Sequence, residues 1–256
     1  MFIDAHAHLD DPILSEREQE IVNAAKEAGV GVIVNASSDL PSSEASVALA
    51  ARRENVYAVI GVHPHEAKTY SDEVEKRLVA LSKEKKVVAL GEIGLDYHYD
   101  LSPRETQKAV LEREIRLAHE LSLPVVFHVR EAYEDFNAII ERNLRYLTHG
   151  CLLHCYGGSA ELAKYYSKTL DAYFSFGGVL TFAKHKEQVL QVIPQNRLLL
   201  ETDCPYMTPV PFRGTPNEPK HIPIIAEKMA ALCGTSIEEI ERVTTENALR
   251  FYRIQV

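Results

Sequence analysis

Hydrophobic positions along this chain follow two alternating patterns. Short apolar runs rich in Val, Ile, Leu and Phe occupy residues 2–5, 31–35, 56–61, 87–92, 125–128, 151–154, 172–176 and 198–203. Between them, apolar residues return every three or four positions. Ile21, Ala24, Ala25 and Ala28 do so before Gly29, in a helix that begins near Ser15, and Val110, Leu111, Ile115, Ala118 and Leu121 do so after Pro103. The first pattern predicts buried strands and the second amphipathic helices. Eight such alternations predict parallel strands joined by crossover helices, an α/β chain of the (β/α)8 TIM-barrel type. Two helices, over 221–232 and 237–250, close the chain, and Ser236 followed by Glu239 predicts a capping box for the second.

The length of 256 residues agrees with the ~250 of a complete barrel, which predicts one domain over residues 1–256. No Gly/Ser-rich linker interrupts it. The one long irregular stretch, 204–220, carries Pro205, Pro209, Pro211, Pro216 and Pro219 directly after the eighth strand. Long ordered loops in compact domains usually serve function, so this one is expected to wall the active site.

Composition narrows the function classes. With 46% hydrophobic and 25% charged residues the chain has globular values, and no apolar run approaches the ~20 residues of a membrane span. The chain enters its first strand without a basic leader, so the expectation is a cytoplasmic protein with no membrane association. Cys151, Cys155, Cys204 and Cys233 form no CxxC pair and are expected to be reduced. The net charge of −9 argues against coating a duplex, because affinity for long nucleic acid comes mainly from phosphate neutralisation. Any nucleic-acid substrate is expected to be a short stretch or an end, held by local metals and a few basic side chains.

Candidate chemistry gathers at strand ends. Residues two apart in a strand share a face, so Asp4, His6 and His8 are expected to project inward together. Two such imidazoles form a divalent-metal chelate, and Asp4, one layer deeper, is expected to hold a ring N–H. Glu92, His128, His154 and the pair Glu201 and Asp203 end other strands in the same way. Converging buried charges are strongly disfavoured unless a cation resolves the cost. The six donors His6, His8, Glu92, His128, His154 and Asp203 exceed what one zinc-like ion takes while leaving an open position. Two divalent ions are therefore expected, one on His6, His8 and Asp203 and one on His128 and His154, with Glu92 shared. Zn, Mg, Mn and Co all suit such donors. Glu201, one layer down, is expected to hold a ligand histidine.

His63 is a candidate phosphate or substrate contact, or a support for a metal ligand, at the same rim. His65 is open between a site role and a solvent-facing position after Pro64. Arg213 offers a planar fork for a substrate phosphate. Tyr97, Tyr156 and Phe212 are candidate base-stacking groups, and Arg130 receives no assignment.

The stretches IDAHAHLD (3–10), GVHPH (61–65), GEIGLDY (91–97), LPVVFHVR (123–130), ETDCPY (201–206), FRGTPNEP (212–219) and ENALRFY (246–252) run almost end to end. Together the chain resembles the TatD family of metal-dependent deoxyribonucleases, within the amidohydrolase superfamily. That resemblance implies a TIM-type barrel, one or two divalent ions, and hydrolysis of nucleic-acid phosphodiesters, often from the 3′ end. It implies the same six ligands. HCYGG at 154–158 departs from the family pattern, where a hydroxyl-bearing residue and one glycine are commoner. The expected mechanism uses a water between the two ions to attack phosphorus, with Asp203 orienting it or taking its proton. DNA or short nucleic-acid ends are the expected substrate, with no obligate protein partner.

Three alternatives stand beside this reading. A relative acting on an amide, lactone or phosphotriester often bridges its metals with a modified lysine, whereas the matching strand here ends in Glu92 and Lys85 and Lys86 precede it. A second alternative cleaves an aminoacyl ester at an RNA end. The third is a non-catalytic metal-bound barrel, against which six donors at an open mouth argue.

Overall fold

Buried on both faces, the apolar runs become strands, as parallel strands covered by helices must. The structure is a computed structural model that describes residues 1–255. Its strands are β1 (Phe2–Ala7), β2 (Val30–Ala36), β3 (Val56–Ile60), β4 (Val87–Asp96), β5 (Val125–Arg130), β6 (Cys151–Leu153), β7 (Tyr173–Phe176) and β8 (Leu198–Leu200). They form one eight-stranded sheet in the order β1 to β8, the order of a (β/α)8 TIM-type barrel. The pairings β1–β2, β3–β4, β4–β5, β5–β6 and β7–β8 are parallel. Among the described residues no helix is long and apolar enough to cross a membrane, and the four cysteines form no disulfide.

By internal contacts the chain divides into two compact units, Met1–Asn35 with the chain from Gly158 on, and Ala36–Gly157. The first holds α1 (Glu18–Glu27), α6 (Ala160–Leu170), α7 (Lys186–Leu190), α8 (Ile222–Cys233) and α9 (Ile237–Tyr252). Here the Asp203 N–H donates to the His6 carbonyl and the His8 N–H to the Cys204 carbonyl, both at 2.9 Å. These bonds bind the end of β1 to the segment after β8. The buried Tyr252 hydroxyl donates to the Ala5 carbonyl at 2.8 Å and ties α9 to β1. Ser236 caps α9 by accepting the Glu239 N–H, one half of the expected capping box, while the Glu239 carboxylate accepts from Arg242.

The second unit holds α2 (Leu40–Arg52), α3 (Asp72–Leu81), α4 (Arg104–Glu120) and α5 (Tyr133–Asn143) around β3 to β6. A reciprocal cap starts α2: the Ser42 N–H donates to Asp39, and the Asp39 N–H to the Ser42 hydroxyl. Fully buried Phe127 and Phe136 meet edge to face at 5.1 Å, joining β5 to α5.

Strand ends depart most from expectation. β4 runs on to Asp96 rather than stopping at 92, and β5 runs on to Arg130 rather than stopping at 128. Between Leu90 and Ile93, β4 carries one more residue than the facing Val125–Phe127 of β5, a bulge at Gly91–Glu92 that re-aims the chain beside the site. β8 ends at Leu200, three residues early. A short 3-10 turn, Ser15–Arg17, precedes α1.

Candidate metal centre

In the first unit His6, in β1, and His8, one residue past its end, both face Asp203. His6 is fully buried, its ring centroid lies 5.0 Å from that of His8, and their Nε2 atoms lie 3.9 and 3.3 Å from Asp203 Oδ1. The three ligand atoms lie within 4.8 Å of one another. Asp203 reaches this position by a route that alternation does not describe. β8 has already ended, and Asp203 adopts left-handed backbone (φ 56°), which aspartate tolerates better than most residues.

One supporting carboxylate behaves differently from expectation. Asp4 holds Thr202 rather than an imidazole: its carboxylate accepts the Thr202 N–H at 2.9 Å and the Thr202 hydroxyl at 2.6 Å. Burial pushes its pKa up to about 7, against the lowering effect of those bonds. Glu201 accepts the Ser175 hydroxyl at 2.5 Å.

In the second unit a single carboxylate oxygen draws three imidazoles. Glu92 Oε1 lies 2.6 Å from His154 Nε2, 2.7 Å from His128 Nδ1 and 3.5 Å from His63 Nε2. His128 Nδ1 and His154 Nε2 face each other at 3.1 Å. Nitrogen lone pairs this close repel unless a proton or cation lies between them, and a divalent ion among imidazole and carboxylate donors fits that need. Burial, with His128 nearby, holds the His63 imidazole well below its usual pKa and therefore neutral, the form that binds metal. Burial alone lowers the His128 pKa, but the carboxylates on its two nitrogens outweigh it and raise it.

That second carboxylate on His128 is Asp96, which sequence reasoning missed. It is fully buried; Oδ2 meets His128 Nε2 at 2.9 Å and His65 Nε2 at 3.1 Å. Oδ1 accepts the backbone N–H groups of His98 and Tyr99, each at 2.9 Å. Burial raises its pKa, yet the bonds from His128 and Tyr99 prevail and hold it well below the usual carboxylate range. Gln107 of α4 fixes the strand there, accepting the Asp96 N–H at 2.9 Å. A signal existed, since positions 92, 94 and 96 alternate, but ending the strand at Glu92 hid it.

Gly94 makes this extension possible. Its φ is 152°, and a Cβ there would stand 1.8 Å from the His128 carbonyl oxygen. Only glycine lets β4 pass its neighbour so closely.

The other candidates fall in varied places. His63 lies inside the donor cluster, and His65 faces Asp96, not solvent. Arg213 is exposed; its guanidinium donates to the Thr208 carbonyl at 3.0 Å and covers the Phe182 ring at 4.2 Å. Among the stacking candidates, Tyr156 is 2% exposed and belongs to the core. Tyr97 is covered by Arg104 at 4.2 Å, and Phe212 stacks on His221 with 4.9 Å between centroids. The proline-rich stretch is stapled by fully buried Asn217, which donates to the Thr202 and Tyr206 carbonyls. It brings the Tyr206 ring to 6.3 Å from that of His8, one of the candidate donors.

A (β/α)8 barrel with imidazole and carboxylate donors at its strand ends has the architecture of a metal-dependent hydrolase. Residues 3–253 match the model of the TatD related DNase family. The chain is 41% identical to the uncharacterized metal-dependent hydrolase YabD of Bacillus subtilis (strain 168), covering 99% of this chain and 100% of that one. It is 34% identical to the 3′-5′ ssDNA/RNA exonuclease TatD of Pantoea ananatis (strain LMG 20103), covering 93% and 94%. Among solved structures, the TatD homologue YjjV of Escherichia coli K12 superposes with a TM-score of 0.93 at 30% identity, covering 99% and 98%. The chain belongs to the TatD family of metal-dependent hydrolases.

Proposed function

We propose that this protein hydrolyses phosphodiester bonds at the ends of single-stranded nucleic acid, using two divalent cations. The observation that carries the reading is the convergence of His63, His128 and His154 on Glu92 Oε1 within 3.5 Å. With His6, His8 and Asp203 this makes seven donors, more than one open zinc-like site accepts. Under the proposal, His6, His8 and Asp203 hold one ion, His128 and His154 hold the other with His63 beside them, and Glu92 is shared. Exonuclease activity in a relative 34% identical over 93% of the chain supports the substrate class.

Divalent cations at these donors supply charge neutralisation on the phosphate oxygens and a water made acidic enough to react near neutral pH. The chain does the rest. Asp96 holds His128 Nε2, so that Nδ1 stays directed at Glu92. Asp203 is 9% exposed, the most accessible carboxylate among the donors, and its carboxylate receives the proton of the attacking water.

The test is metal-depleted protein reloaded with Zn, Mn, Co or Mg separately and assayed on end-labelled single-stranded DNA beside an aminoacyl ester and a lactone. A product ladder shortening from one end is expected, abolished in Glu92→Ala with the circular-dichroism spectrum kept. Turnover confined to the ester or lactone overturns the substrate class, and full activity in Glu92→Ala overturns the shared-carboxylate centre.

A further inference from the structure

Beside the second donor cluster stands an exposed ring held by unusually firm supports. Tyr99 is 55% exposed, and its hydroxyl bonds to no described residue. Its backbone N–H is anchored on Asp96, the same carboxylate that orients His128. Two imidazoles buttress the ring: His65 edge-on at 5.4 Å and His98 at 4.8 Å, the latter fixed by Glu131 at 2.8 Å. Arg130 lies over the ring at 4.9 Å and pairs with no carboxylate among the described residues. The path inward is short, because the His65 ring lies 4.2 Å from His63 and 6.3 Å from His128.

An exposed aromatic side chain gains nothing from rigidity in the folded protein alone. A cation left without a counterion in a chain of net charge −9 is likewise in want of an anion. Together they match one nucleotide. A base stacks on the open part of the Tyr99 ring, and the Arg130 guanidinium takes the adjoining phosphate. An unpaired base leaves its face open in this way, whereas bases inside a duplex are already stacked on one another. We infer that Tyr99 and Arg130 form a nucleotide subsite beside the metal centre that selects unpaired ends of nucleic acid. This rests on the nuclease reading and adds to it the residues that choose single strands.

The chain contains no tryptophan, so Tyr99→Trp carries the only indole and its emission reports this site alone. Metal-loaded Tyr99→Trp is titrated with a thymidine oligonucleotide whose phosphorothioate linkages resist cleavage. Quenching of the emission is expected. Tyr99→Leu is expected to weaken oligonucleotide binding about tenfold, the scale of one lost base stack. Arg130→Met is expected to weaken it as well and to reduce its salt dependence by about one phosphate contact. A blunt duplex of the same length is expected to leave the emission unchanged.

Emission indifferent to an oligonucleotide that the same sample cleaves in its ordinary phosphodiester form overturns the subsite and leaves the nuclease reading intact. Equal quenching by single strand and duplex overturns the selection of unpaired ends. Absence of both binding and cleavage in the unsubstituted, metal-loaded protein overturns the nuclease reading, and the subsite falls with it.

Discussion

Replacing Asp96 by asparagine separates the two tasks of that side chain. One oxygen receives two backbone N–H groups and the other receives His128 Nε2, all at 2.9 Å. Bonds to a charged acceptor contribute roughly 1.5–3 kcal/mol each, and bonds to a neutral one about 1 kcal/mol. Asparagine keeps an oxygen for the turn, so each backbone bond loses about 1 kcal/mol. It sets an NH2 group against His128 Nε2–H, which forfeits that bond entirely. The sum is roughly 3–5 kcal/mol of stability, or a fall of about 10 °C in Tm for a chain of this size. His128, no longer held through Nε2, is expected to lose 10- to 100-fold in metal affinity, the usual effect of removing such a support. Thermal unfolding of metal-free protein measures the first effect, and competition with a chromophoric chelator measures the second. A metal affinity within about twofold of the unsubstituted protein refutes the reasoning, because Asp96 would then not orient a ligand.

Two further predictions address the scaffold. Glu114 of α4 is fully buried; Oε1 accepts the Val62 N–H at 2.8 Å, and burial raises its pKa well above the usual value. The folded state therefore retains a proton that the unfolded state releases, and the stability this group contributes is complete at low pH and lost as pH rises through the folded pKa. Glu114→Gln keeps the acceptor and cannot ionise, so denaturant midpoints from about pH 5 to pH 9 should fall less steeply than in the unsubstituted protein; parallel profiles contradict this. Gly94→Ala sets a methyl 1.8 Å from the His128 carbonyl and should cost roughly 3 kcal/mol or more while weakening metal binding. A urea midpoint shifted by the equivalent of less than about 0.5 kcal/mol would show that β4 and β5 can part there freely.

Much of the donor set is legible in one dimension because strand alternation is local. His6 lies in β1 and His8 two positions on, one residue past the strand end, and that local spacing suffices to bring both to Asp203. The parallel barrel is legible for a similar reason: the alternation of buried runs with helical stretches is written along the chain, and short connections leave few topologies.

Positions set by departures from regular backbone are not legible. The bulge before Ile93, the continuation of β4 through Gly94 to Asp96, and the left-handed turn at Asp203 each depend on a neighbouring strand that lies far away in sequence. So do the partners of Asp4 and Glu201, which serve Thr202 and Ser175. A buried carboxylate takes whichever donors the packed neighbours present, and a pattern of residue types does not name them. The same holds for Tyr99: among twelve tyrosines, only folding shows which rings are held open to solvent beside the candidate donors. Residue type and spacing thus settle what can bind a cation, while contacts between distant segments settle how each ligand is aimed.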